Sequence, residues 1–380
     1  MERILMVQPS LQPPGGGNGV AAWMVQSLSR RGRVTVLSWV PLQLDEVDAY
    51  YGTNLRAANL ESRLIQPWIP GLLRLLRVPH ELFKLHLLMR EARRIAADYD
   101  RVCSANNELD LGCRAVQYVH YPWNYHPRPD CHHSWYANPI LRAVLLTYYQ
   151  VCSWLSGYRR EAVPGNLTLV NSDWTGRLYQ SIYGPHPYTV LHPPALGSFP
   201  EAEWKPRRNA FLSIGRISPC KEWEKLIVIV GRLRGMGHEV ELTLAGSRDD
   251  PAYGERIRAE IARRGSWVRL LQDLSRAEMV AEATSHRYGL HGMTREHYGM
   301  AVAELILGGC IPFVPDDGGQ VEITRDPRLE YASVEDAVEK IDRVLRSEPL
   351  QAELRAVLAE RRSHLGVERF LREFEVALQA

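Results

Sequence analysis

An α/β chain built as two Rossmann-like domains is what the sequence predicts, and three observations carry that expectation. The chain has 380 residues, 45% of them apolar, which is too long for one ordinary core and enough to fill two. Short β-branched runs alternate with stretches of helical period in two separate series, the pattern of a parallel sheet with helices on both faces. Between the series lies Leu191-His192-Pro193-Pro194-Ala195, where adjacent prolines favour an extended connector.

The first series opens with a strand at 3–8, a glycine loop Gly15-Gly16-Gly17-Asn18-Gly19, a helix at about 20–30 and a strand at 33–40, which together make a βαβ unit. Further on, the apolar run Val116–Val119 reads as a strand ending at His120. The second series starts near Asn209, with a strand at 210–214, a helix from Glu222, a strand at 240–244 and a helix near 254–263. It continues with a strand at 267–271, a helix near 276–283, a strand at 287–290, a helix from Tyr298 and a buried strand at 311–314. The expected division is an N-terminal domain over 1–192, a linker over 193–206 and a C-terminal domain over 207–365.

Composition excludes several classes. The formal charge is only +2, so the whole-chain field has no special attraction for nucleic acid. Six cysteines lie far apart without a CxxC pair, which fits reduced thiols in a cytoplasmic chain. Residues 1–9 lack the apolar core of a secretion signal, and no stretch approaches the roughly 18 apolar residues of a membrane span. Residues 67–94 mix leucines with Arg74, Arg77, Lys84, Arg90, Arg93 and Arg94. They read either as a basic amphipathic surface for anionic lipid, at the inner face of a membrane, or as a helix packing its leucines on the N-terminal core. Asp130-Cys131-His132-His133, with Trp123, Tyr125 and Trp135 nearby, is metal-capable, but adjacent histidines seldom share one ion, and no metal site is expected.

The sharpest chemical signal is Glu296-His297-Tyr298-Gly299-Met300-Ala301-Val302-Ala303-Glu304. On a helix, eight positions are about two turns, roughly 12 Å, so one acid would stand at the N-terminal mouth and the other inside. Gly299 permits close approach, and the amides of Met300 and Ala301 are free donors at the positive end of the helix, suited to a diphosphate. The alternative is one surface acid and one packing acid. The second signal is Gly215-Arg216-Ile217-Ser218-Pro219-Cys220-Lys221 after the first strand of its series, where open α/β sheets bind ligands; Arg216 and Lys221 there would counter a diphosphate, the alternative being two solvated basic residues in a loop.

Arg216 and Lys221 in a GRxxxxK loop, with Glu296 and Glu304 in an E-x7-E arrangement, resemble glycosyltransferase family 4. Members have the GT-B fold, two Rossmann-like domains facing each other across a cleft, and retain anomeric configuration. Asn171-Ser172-Asp173-Trp174, the Pro-Pro connector and Gly318-Gly319 fall where that family has its counterparts. Tyr118-Val119-His120-Tyr121-Pro122 and Gly289-Leu290-His291-Gly292-Met293-Thr294-Arg295 are similar to the α-1,2-mannosyltransferases of lipid-linked N-glycan core assembly.

The resemblance implies a nucleotide-sugar donor, GDP-mannose first, and a glycan or lipid-linked acceptor; UDP-linked glucose or N-acetylglucosamine, and a non-catalytic nucleotide-sugar-binding subunit, are the alternatives. It implies that Glu296 contacts the donor sugar, that Glu304 accepts from the ribose, and that Arg216 and Lys221 clamp the diphosphate. Tyr298, Gly299, Met300 and Ala301 complete the donor side. Gly16 or Gly17 would approach phosphate or acceptor from the other domain, and His120 would orient the transferred sugar; the alternative for His120 is a buried histidine satisfied by a carbonyl. His291 lines the donor pocket or braces the Glu296 loop. No cofactor or catalytic metal is implied, and a terminal helix at about 366–380 crosses back to the first domain.

Overall fold

In a computed structural model, residues 1–65, 81–124, 138–247 and 250–379 are described. The chain forms two compact units, Met1–Leu191 with Leu371–Ala380, and His192–Phe370. The 193–206 stretch, expected to be a linker, groups with the second unit.

The first unit is a parallel sheet of seven strands: β1 (Glu2–Val7), β2 (Gly32–Ser38), β3 (Leu60–Leu64), β4 (Arg101–Ser104), β5 (Val116–Val119), β6 (Leu167–Val170) and β7 (Thr189–Val190). Their spatial order is β3-β2-β1-β4-β5-β6-β7. The central strands are apolar throughout because both faces are covered: Ile4 through Val7 are all buried. The helix Val367–Ala377 returns to this unit, where Glu375 takes hydrogen bonds from Ser27 and from the Arg31 guanidinium.

The second unit repeats the plan with β8 (Arg208–Ile214), β9 (Glu241–Gly246), β10 (Val268–Gln272), β11 (His286–Leu290), β12 (Ile311–Pro315) and β13 (Glu330–Tyr331). Its order is β10-β9-β8-β11-β12-β13, all pairs parallel. In both units the order reverses beside the first strand, between β1 and β4 and between β8 and β11. Ligands of such sheets settle at the carboxyl ends of the strands flanking that reversal. The residues after β8 and after β11 are therefore the place to look in the second unit.

The expected helix at about 20–30 begins earlier, at Gly16. Gly15, at φ 152°, turns the chain inward, and Val20 through Val25 bury the helix face, so tertiary packing outweighs the low helix propensity of the glycines. Of the basic segment 67–94, residues 67–80 lie outside the described residues. The remainder belongs to the helix Glu81–Ile95, which buries Leu88, Met89, Ala92 and Ile95 in the core beside β1 and β2 and His86 against Ser156, Tyr149 and Tyr158. The large exposed apolar stripe lies elsewhere, on the helix Pro139–Ser156, where Ile140, Val144, Val151 and Trp154 face solvent. Asp130-Cys131-His132-His133, Tyr125 and Trp135 also lie outside the described residues.

Candidate active site

In the second unit, β8 runs into Gly215 and a loop that ends in the single turn Pro219–Lys221. Lys221 Nζ stands 2.5 Å from Glu296 Oε2, and each side chain is only 14% exposed. From the neighbouring strand, β11 leads to His291, whose Nε2 lies 3.3 Å from the same oxygen, a long contact for a hydrogen bond. The His291 backbone is fixed on both sides, its N–H donating to Phe313 at 2.9 Å and its carbonyl accepting from the Tyr331 hydroxyl. Gly292 lets the two loops touch: a Cβ there would come within 2.5 Å of the Lys221 carbonyl. His291 thus stands against the Glu296 carboxylate with its own backbone held on both sides.

Glu296 is not on a helix. It makes a lone parallel bridge with Gly318, and its carbonyl accepts from Gly319 N at 2.7 Å. The helix starts four residues later, at Met300, because Gly299 takes φ 102° as its N-cap, a conformation that glycine adopts without strain. The two-turn geometry expected for Glu296 and Glu304 is replaced by an extended arm followed by about one turn of helix.

Burial acts to raise the Glu296 carboxyl, but the Lys221 ammonium and the His291 contact prevail and hold it well below the usual carboxylate range. Burial pushes His291 the other way, below the ordinary imidazole value, against the pull of Glu296. The cluster thus pairs a carboxylate kept ionised by the Lys221 ammonium with an imidazole that burial disfavours charging.

At the start of the helix Met300–Leu307, Val302 N and Ala303 N donate to the Gly299 carbonyl at 2.8 and 3.1 Å. The amides of Met300 and Ala301 consequently have no acceptor within the helix. Tyr298 is buried just before it, with its ring 5.2 Å from that of His192. Glu304, one turn inside, pairs with Arg276 Nη1 at 2.8 Å; burial raises its carboxyl although Arg276 opposes the rise.

Arg276 went unnoticed in the sequence. It is the first residue of the helix Arg276–Ser285, whose start is pinned by a reciprocal Ser275–Glu278 cap, and its guanidinium lies over the Phe199 ring at 5.4 Å. Its Nε and Nη2 are buried and make no hydrogen bond. Nothing in the sequence ties residue 276 to residue 304. Arg216 lies in the same loop as Lys221 but is exposed, unlike the largely buried Lys221 side chain.

In the first unit, Gly16 and Gly17 form the first turn of the helix after β1, and the first intrahelical bond runs from Gly19 N to Gly15 O at 3.1 Å. The amides of Gly16 and Gly17 precede that bond and have no acceptor inside the helix. His120 follows β5 and comes against this turn: a Cβ on Gly17 would stand 3.3 Å from His120 Nε2. The His120 ring also lies 4.8 Å from that of Tyr118, and its carbonyl accepts from Asn171 Nδ2 at 2.9 Å. The residues thus gather into two groups, Gly16, Gly17 and His120 in one unit, and Lys221, Glu296, Tyr298–Ala301 and Glu304 in the other. Among the described residues, no group of three or more His, Cys, Asp or Glu side chains could hold a metal ion, and no helix is long and apolar enough to cross a membrane.

Known proteins extend these observations. Residues 198–361 match the family model described as "Glycosyl transferases group 1". The chain is 26% identical over 246 residues to GDP-Man:Man(3)GlcNAc(2)-PP-Dol alpha-1,2-mannosyltransferase of Caenorhabditis elegans, an alignment covering 57% of this chain and 51% of that protein. The Mus musculus protein of the same name is 24% identical, with 55% and 47% covered. The chain thus spans about half the length of the curated relatives it matches. Among solved structures, sucrose-phosphate synthase from Thermosynechococcus elongatus superposes with a TM-score of 0.72 at 14% identity, covering 100% of this chain and 98% of that one. Anabaena HepE in complex with UDP and glucose gives 0.66 at 15% identity, with both chains fully covered. At these identities the likeness establishes the fold, that of glycosyltransferases with two Rossmann-like domains.

Proposed function

We propose that the chain is a retaining glycosyltransferase that moves a hexose, mannose in the first instance, from GDP-mannose to a glycan or lipid-linked acceptor. The observation that carries this reading is the buried Lys221–Glu296–His291 cluster beside the unaccepted amides of Met300 and Ala301, all within the segment that matches the glycosyltransferase family model. The mannose and lipid-linked assignments draw on the names of the C. elegans and mouse relatives.

In this reading the diphosphate sits on the amides of Met300 and Ala301, with Lys221 and Arg216 as counter-charges. As the bond from the anomeric carbon to the phosphate oxygen breaks, charge accumulates on the leaving nucleotide and these preorganised donors stabilise it. The acceptor oxygen bonds to the same face of that carbon, and its proton passes to the departing phosphate, so no side chain of raised pKa is required as a base. Glu296, kept ionised by Lys221, accepts hydrogen bonds from sugar hydroxyls, as an acceptor-only group does. Glu304 accepts from the ribose, with Arg276 opposing its neutralisation. His120 and the Gly16–Gly17 turn address the transferred sugar and the acceptor. Peripheral contact with anionic membrane through 67–94, on the cytoplasmic side, belongs to the same proposal, and salt-sensitive vesicle binding tests it.

The deciding experiment is a thermal-shift panel of GDP, UDP, ADP and their sugars, since a ligand that binds only the folded chain raises its melting temperature. Selective stabilisation by GDP and GDP-mannose is expected. A selective response to UDP moves the donor to a UDP-sugar, and no response to any nucleotide removes the proposal. Glu296→Ala is expected to abolish transfer while sparing nucleotide binding; binding without turnover in the wild type points to a non-catalytic subunit.

A further inference from the structure

The segment His120–Asn124, which follows β5, is held by two consecutive side chains from the loop after β4. Asn107 Oδ1 accepts from the amides of His120 at 2.9 Å and Tyr121 at 3.1 Å. The Glu108 carboxylate accepts from the amides of Trp123 at 3.2 Å and Asn124 at 2.6 Å. Residue 122 is proline and has no amide hydrogen. Two adjacent side chains therefore take up every backbone N–H of the five-residue segment.

The clamp is itself anchored. Asn107 N donates to the Tyr118 carbonyl at 3.2 Å, and Asn124 Nδ2 donates to the Glu108 carbonyl at 2.5 Å. Asn107 stands at φ 62°, in the left-handed region that asparagine tolerates better than most residues. Glu108 is wholly buried, an expensive place for a carboxylate unless hydrogen bonds offset its desolvation; those bonds go to this segment and to the Tyr183 hydroxyl at 3.3 Å. On the far side the His120 ring meets Gly17 and Tyr118. Its backbone is fixed from one direction and its ring is confined from the other.

We propose that Asn107 and Glu108 are positioning residues for sugar transfer: together they set the backbone of His120–Asn124, and through it the placement of the His120 ring. The proposal rests on the reading that His120 orients the transferred sugar. Glycine at 107 would keep the left-handed turn and lose the acceptor, whereas aspartate would keep both, so the two substitutions separate backbone shape from hydrogen bonding.

The test uses the full chain, with GDP release from GDP-mannose as turnover and water as the acceptor, alongside GDP affinity and the folded fraction by circular dichroism. Asn107→Ala and Asn107→Gly are each expected to lower kcat by about 10- to 100-fold, the size of effect a displaced positioning group produces, with GDP affinity unchanged. Asn107→Asp is expected to stay within about threefold of wild type. Glu108→Gln, which turns an NH2 toward a backbone amide, is expected to follow Asn107→Ala. Wild-type turnover in Asn107→Ala overturns the proposal, as does full recovery in Asn107→Gly, or a loss that vanishes when activity is expressed per folded molecule. If His120→Ala keeps wild-type turnover, the underlying role of His120 has failed; if His120→Ala is inactive while the Asn107 and Glu108 variants are not, the clamp alone has failed.

Discussion

The two units share one strand order and treat the end of their first strand in opposite ways. After β1 the chain reaches a helix start made of Gly16 and Gly17, where uncharged amides meet the ring of His120. After β8 it reaches Lys221, whose ammonium is locked onto a nearly dry carboxylate. The first arrangement works by shape, since its tolerance is set by the space beside an imidazole. The second works by charge, since the Lys221 ammonium holds the Glu296 carboxylate ionised against the effect of burial. One scaffold position therefore supports two chemistries, and the loop sequence selects between them.

The harshest way to break this comparison is Lys221→Met. Leaving Glu296 buried without its cation is expected to destabilise the second unit by about 3–5 kcal/mol, the usual consequence of removing one partner of a buried ion pair. Urea unfolding measures it. Lys221→Met with Glu296→Gln should recover most of the loss, and a single-variant loss under about 1 kcal/mol would make the pair an ordinary solvated one.

Carboxylates in the two units should also give opposite pH responses. Glu108 is pushed up to about 7 by burial, against the bonds from Trp123, Asn124 and Tyr183, with Tyr149, Tyr158 and Tyr179 also packed around it. A raised folded value means that stability is greatest in acid and declines as pH climbs from about 4.5 through 7, by up to about 3 kcal/mol. Glu296 is depressed, so its contribution is complete above 4.5 and disappears as pH falls through its lower folded value. Unfolding free energy measured against pH should flatten between 4.5 and 7 in Glu108→Gln; an unchanged slope there would assign it to other groups.

Gly17→Ala is the mildest change and sharpens the steric half. Alanine favours a helix over glycine by roughly 0.5–1 kcal/mol, so the melting temperature should hold or rise slightly. Turnover should nevertheless drop by about tenfold, because the new methyl group lies 3.3 Å from His120 Nε2 and the ring must give way.

Legibility in the sequence follows the range of the interactions involved. Strands β8 through β12 were readable to within a few residues because each is a strand-length run set between stretches of helical period. The first unit was readable only at its opening and at β5. Glu296, Glu304 and Lys221 stood out through spacing, but the spacing suggested a helix where the backbone of Glu296 is pinned to Gly318, a partner 22 residues away. Arg276, Asn107 and Glu108 gave no signal at all. Their partners lie 13 to 28 residues distant with no period linking them, and only the folded chain brings them together.

The return of the last helix to the first unit has a consequence for synthesis. Domains usually complete themselves in order as the ribosome extends the chain. Here Ser27 and Arg31 wait for Glu375, so the whole sequence of the second unit has been translated before these bonds can form. The nascent amino-terminal half therefore lacks these bonds throughout elongation, and a dissected version of that half regains them only if residues 371–379 are grafted after Leu191.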